Sequence, residues 1–201
     1  QAPAHLPSRG PWPARSDDYP LVGDELVGAY VARAASLVPD GAPKSVNWVY
    51  TAMHGVGAAV VDEVVAACGF GEPHRVTEQI EPDPAFPTVP FPNPEEPGAI
   101  DLALALARRV DADVAIANDP DADRCAVAAV VDGGWQMLTG DELGALLADD
   151  LLRRGVTGTY ACSVVSSTLL ASMAAAYGQP FTTTLTGFKW IWNAALDLEA
   201  L

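Results

Sequence analysis

Three aspartates fall at alternate positions in Asn118-Asp119-Pro120-Asp121-Ala122-Asp123-Arg124, between two apolar runs that read as strands, Val114–Ala117 and Cys125–Val131. Carboxylates this close repel one another unless an opposite charge intervenes. Hard oxygen donors at this density suit Mg²⁺, which keeps coordination sites free for water or a phosphate oxygen. Arg124 is placed to hold a phosphate or to brace a carboxylate. The spacing D-x-D-x-D also opens a calcium-binding EF-hand loop, but position six of such a loop requires Gly and is Arg124, and position twelve requires a bidentate Glu and is Val130. A solvated acidic turn with no metal has the same spacing, and spacing alone does not separate the two. A haloacid-dehalogenase-type phosphatase also places D-x-D after a strand; that pattern continues to Thr or Val two residues on, where this chain has Cys125.

Other residues with chemical potential are more scattered. His54 sits in the glycine-bracketed turn His54-Gly55-Val56-Gly57 after a strand, a place that serves ligand contact or the turn itself. Thr186-Gly187 is a turn that lets backbone amides approach a ligand, or only a turn, and Lys189 beyond it is a lysine at a helix start. Trp48, Trp190 and Trp192 read as core or interface aromatics, and Glu95 and Glu96 as solvent-facing. Cys68, Cys125 and Cys162 are odd in number and form no C-x-x-C pair, so they suggest neither a disulfide framework nor a zinc site. A reducing cytoplasm is the expected compartment.

The elements that must carry these residues alternate. Leu26, Val27, Tyr30, Val31, Ala34 and Leu37 recur at helical spacing from Asp24 to Leu37, where Pro39 and Gly41 end the pattern. A strand over Ser45–Thr51, the glycine turn and a helix over Ala58–Cys68 closed by Gly69 make an α/β unit. Arg75–Gln79 is expected as a short strand. Glu81–Pro97 holds seven prolines and is expected as an extended loop. A helix over Ile100–Arg109 precedes the acidic loop; after it, Asp132-Gly133-Gly134 is a hairpin-type turn and Thr139-Gly140-Asp141-Glu142 caps a helix to about Arg154. Then the rhythm restarts: strand Thr159–Val164, helix Thr168–Tyr177, strand Phe181–Leu185, and a helix from about Lys189. The fold class predicted is α/β, as two consecutive domains with parallel or mixed sheets covered by helices.

Composition narrows the partners. The 201 residues carry 26 acidic against 11 basic side chains, a formal charge of -15 that repels nucleic-acid backbones and anionic lipid. No apolar run approaches the roughly 20 residues that span a bilayer. No nucleic acid and no membrane are therefore expected as partners. Five prolines in the first twenty residues predict a Pro-rich leader over 1–20, and the chain, opening on Gln with its first Met at Met53, is expected to be a fragment.

Asp119-Pro-Asp-Ala-Asp-Arg124 resembles the metal loop of the α-D-phosphohexomutases, which include phosphoglucomutases and phosphomannomutases. In the same order as that family, Thr51-Ala-Met-His-Gly-Val-Gly57 precedes it, and Thr139-Gly-Asp-Glu-Leu-Gly144 and Thr184-Leu-Thr-Gly-Phe-Lys-Trp-Ile191 follow. Phe91-Pro-Asn-Pro-Glu-Glu-Pro97 and the last segment are most similar to the phosphopentomutase-like branch. The resemblance implies two mixed-sheet domains, the family's second over 21–135 with the metal loop and its third, incomplete, over 136–201. It further implies Asp119, Asp121 and Asp123 as Mg²⁺ ligands, Arg124 and Lys189 as catalytic groups, and Thr186, Gly187 and His54 as contacts to a sugar phosphate. The family's phosphoryl-carrying serine lies in a T-A-S-H-N-P-type loop of its first domain. No such segment occurs here, and Ser166-Ser167-Thr168 is no substitute by motif. The chain alone is thus expected to be inactive and to need the remaining domains of the enzyme as partners; the alternatives are the phosphatase above and a noncatalytic metal-binding domain, for which the lack of a nucleophile is the support.

Overall fold

A computed structural model describes residues 22–199; the leader expected over 1–20 lies outside the described residues. Five strands form one sheet: β1 (Trp48–Thr51), β2 (His74–Arg75), β3 (Val114–Asn118), β4 (Cys125–Val131) and β5 (Gly134–Met137). Their spatial order is β2-β1-β3-β4-β5, with β2, β1 and β3 parallel and β4 and β5 antiparallel to their neighbours. The sheet is mixed, as expected. Alternation along β1 separates two cores. Val49 joins Ala115, Ala117 and Ala128 under α3 (Asp101–Val110), where Ala103 and Ala107 are nearly inaccessible. Alanines on both sides let helix and sheet approach closely. On the other face Trp48 and Tyr50 pack with Val61 and Val65 of α2 (Ala58–Cys68) and with Ile116.

Two expectations change. β2 is only two residues long, because Val76 turns inward to the core and Gln79 closes a turn onto its carbonyl instead of continuing a ladder. β5 was not foreseen beyond its turn; Asp132 (φ 51°) and Gly133 (φ 80°) form a two-residue hairpin loop of the left-handed kind, and Val131 pairs with Gly134. The first sheet consequently runs to Met137.

α1 (Asp24–Ala35) packs along α2 yet has no buried residue. Its apolar side borders an open groove of about 790 Å³ that reaches Val56, Gly57, Asn118 and Asp121. The proline-rich stretch 81–97 forms no helix or strand but is fastened down: Val89 is buried in the main core and Phe86 packs against it.

The second unit holds α4 (Gly140–Arg153), β6 (Tyr160–Ser163), α5 (Leu169–Ala176), β7 (Phe181–Thr184) and α6 (Phe188–Glu199), with β6 and β7 parallel. α4 starts on a reciprocal cap: the Glu142 amide donates to Thr139 Oγ1 at 3.2 Å and the Thr139 amide donates to Glu142 Oε2 at 2.7 Å. No helix among the described residues is long and apolar enough to cross a membrane.

Candidate metal centre

In an open parallel sheet, loops that leave the carboxyl ends of neighbouring strands meet at one edge, which is where such sheets bind ligands. β1 and β3 are parallel neighbours in register from Trp48↔Val114 to Thr51↔Ala117. The turn 52–57 and the acidic loop 119–124 therefore emerge side by side.

The acidic loop joins antiparallel strands whose last pair is Asn118↔Cys125. Asp119 and Pro120 open a β-turn, closed by the Ala122 amide donating to the Asp119 carbonyl at 2.9 Å, with proline at the position its fixed φ favours. Ala122 then takes a left-handed φ of 57° and sends the chain back into β4. This geometry gives the three carboxylates different surroundings. Asp119, 1% exposed, lies at the base and receives the Arg124 amide on Oδ1 at 3.0 Å and the guanidinium Nε and Nη2 on Oδ2, each at 2.8 Å. Asp121 and Asp123 stand exposed, and Asp123 lies 3.4 Å from Arg124 Nε.

One oxygen from each of the three aspartates comes within 4.8 Å of the others. Burial pushes the Asp119 carboxyl up, but the Arg124 amide and guanidinium outweigh it and hold the group below the usual carboxylate range. Asp123 is shifted the other way, above its ordinary value, chiefly by the negative charge of Asp121 and then by desolvation. Arg124, paired mainly with Asp119, is held above its ordinary value. One arginine does not neutralise three carboxylates. Oxygen donors that converge and repel one another form the kind of set that a hard divalent cation takes.

The remaining predicted site residues fall in two places. His54 does not reach the surface: it is 5% exposed, its Nε2 is 2.8 Å from Thr88 Oγ1, and its ring meets Phe86 edge-on. It ties the proline-rich stretch to the turn through Thr88. Thr186, Gly187 and Lys189 follow the carboxyl end of β7, and Gly187 (φ 124°) accepts the Trp190 amide at 3.0 Å to begin α6. Lys189 is exposed there, with no hydrogen bond or ion pair to the acidic loop among the described residues. Trp48 is a core residue that donates from Nε1 to the Gly71 carbonyl at 3.0 Å, whereas Trp192 is exposed and stacks on Phe188.

Sequence reasoning missed the groups beneath the loop. Tyr50, buried, donates from its hydroxyl to Asn118 Oδ1 at 3.0 Å; burial, then the charge of Asp62, pushes it up to about 12, so it stays a proton donor at neutral pH. Asn118 in turn donates from Nδ2 to the Arg124 carbonyl at 2.9 Å. Tyr50 and Asn118 are 68 residues apart, and no local pattern pairs them.

Comparison with known proteins agrees with this arrangement. Residues 29–132 match the phosphoglucomutase/phosphomannomutase family model for alpha/beta/alpha domain II, and residues 139–201 match that for domain III. A "Probable phosphomannomutase" of Haemophilus influenzae is 49% identical over 180 residues, covering 88% of this chain and 37% of that protein. The human phosphopentomutase is 45% identical over 165 residues, covering 76% of this chain and 27% of that protein. The solved structure of a phosphoglucomutase/phosphomannomutase family protein from Burkholderia thailandensis has the same fold, with a TM-score of 0.70 at 23% identity over 86% of this chain and 36% of that one. The chain spans about a third or less of the length of these curated relatives. None of these relatives is a haloacid-dehalogenase phosphatase, and the loop itself returns directly into an antiparallel strand. The chain belongs to the phosphoglucomutase/phosphomannomutase family, of which it carries domain II and part of domain III.

Proposed function

We propose that this chain is the metal-holding part of a phosphosugar mutase, an isomerase that moves a phosphoryl group between the 1-position and the 6- or 5-position of a sugar. The observation that carries the reading is the convergence of Asp119, Asp121 and Asp123 within 4.8 Å at the carboxyl edge of the parallel strands. Its relatives' names, phosphomannomutase and phosphopentomutase, point to the same chemistry. Asp119, Asp121 and Asp123 would hold Mg²⁺, which supplies charge stabilisation to a phosphoryl group in transfer. Arg124 locks Asp119 in one orientation and, with its side chain more than half exposed, offers remaining N–H groups to a phosphate oxygen. Lys189 contributes a cation for proton transfer or for the substrate phosphate, and the Thr186-Gly187 turn offers backbone contact to the same ligand. His54 fixes the turn under the acidic loop and acts on substrate only through it.

In this reading the phosphoryl-carrying serine and the rest of the substrate cradle belong to other domains of the same enzyme, so these 201 residues bind the cation and turn nothing over. The test is a mutase assay on the pure chain with mannose 1-phosphate, glucose 1-phosphate or ribose 1-phosphate and Mg²⁺, alongside a Mg²⁺ titration. Binding without isomerisation is expected; isomerisation by the chain alone would contradict the division of labour.

A further inference from the structure

The acidic loop rests on the turn after β1 at Pro120 and Ala122, and on Tyr50 of β1 through Asn118. Val56 donates its amide to the Pro120 carbonyl at 2.9 Å. Gly55 lies so close beneath that a Cβ there would fall 2.6 Å from the Pro120 carbonyl carbon, and closer still to its Cα and oxygen. At Gly57 a Cβ would stand 3.0 Å from Ala122 Cβ and 3.2 Å from the Tyr50 hydroxyl. Tyr50 holds Asn118, and Asn118 holds the carbonyl of Arg124, which fixes both ends of the loop.

The turn is itself clamped. Met53 and His54 have left-handed φ values of 49° and 61°, uncommon for side-chain-bearing residues and costly unless the surroundings impose them. Here the Met53 amide donates to Thr51 Oγ1 at 3.0 Å and the His54 amide to the Gln79 carbonyl at 2.8 Å. Buried Gln79 accepts the Thr51 hydroxyl at 2.7 Å and donates to Thr88 Oγ1 at 2.9 Å, the oxygen that also meets His54.

We infer that the end of β1 and the 52–57 turn together form a rigid seat that sets the spacing of the three carboxylates, with Gly55 and Tyr50 as positioning residues for the cation the loop holds. This rests on the metal reading above. Groups that orient metal ligands without touching the ion typically change affinity about tenfold to a hundredfold when altered. Gly55→Ala forces Pro120 off its seat. Tyr50→Phe keeps the buried ring and deletes the hydroxyl that holds Asn118.

The experiment titrates Mn²⁺ into the 201-residue chain, reading free ion by electron paramagnetic resonance, with thermal melts of every variant. Val65→Ala, which trims the same core face from α2, serves as the control for loss of stability, judged by its melt. Gly55→Ala and Tyr50→Phe are each expected to weaken Mn²⁺ binding about tenfold or more, with parental affinity in Val65→Ala. Should Gly55→Ala fail to fold, Tyr50→Phe decides. Parental affinity in folded Tyr50→Phe, or an equal loss in Val65→Ala, overturns the seat and leaves the metal reading standing. A parent chain that binds no Mn²⁺ overturns both.

Discussion

Asp119 and Asp121, two residues apart, have different tasks. Asp119 is buried with both oxygens engaged by Arg124, while Asp121 is exposed and makes no ion pair among the described residues. Asp119→Asn replaces charge-assisted bonds at a buried position and is expected to cost about 1–3 kcal/mol. Asp121→Asn is expected to change stability by no more than about 0.5 kcal/mol, as surface substitutions do, while relieving the repulsion that raises Asp123. Urea unfolding without metal separates the two; equal stability of both variants would remove Arg124's bracing role. The carboxylate trio was legible because its residues alternate within five positions between two apolar runs. What each carboxylate does was not, since the sequence does not say which of three equivalent-looking aspartates turns inward, and only the turn at Asp119-Pro120 decides it.

At the level of elements, the reciprocal cap at the start of α4 makes a second test. The Thr139 amide and hydroxyl hold Glu142 below the usual carboxylate range. A depressed folded pKa contributes stability above the unfolded value and loses it as pH falls through the folded one. Thr139→Ala is expected to cost about 1 kcal/mol at neutral pH, and the gap in melting temperature between the parent and Glu142→Gln to close on acidification below the normal carboxylate range; a gap that persists in acid would remove the charge from the explanation. Strands and helices of four or more residues with a clear period, such as β1, α2 and α4, were readable from their patterns. β5 escaped because Gly134-Trp-Gln-Met is four residues of weak alternation that become a strand only by pairing with β4. Arg75–Gln79 overshot as a strand because a buried glutamine in a side-chain network looks, in sequence, like the polar end of an alternating run. Lys189 and the Thr186-Gly187 turn were placed correctly after a strand; their part in substrate binding comes from family resemblance and not from contacts in this chain.

Across the whole molecule, apolar surface is the conspicuous remainder. Leu26, Tyr30 and Val56 beside the groove, and Val165, Phe188 and Trp192 on the second unit, are exposed large apolar side chains. In relatives about three times longer than this chain, faces of this kind are available for neighbouring domains to pack on. The folded chain is accordingly expected to bind a hydrophobic dye such as ANS at neutral pH; a folded chain that leaves the dye dark would contradict that placement. The net charge of -15 opposes aggregation and draws cations toward the acidic loop. The most direct check on that loop is crystallography of the chain grown with Mn²⁺, with data at the manganese edge. An anomalous peak bonded to oxygens of Asp119, Asp121 and Asp123, and lost in Asp121→Ala, is the expected result; a difference map with no peak there, or with the three side chains splayed apart around water alone, would refute it.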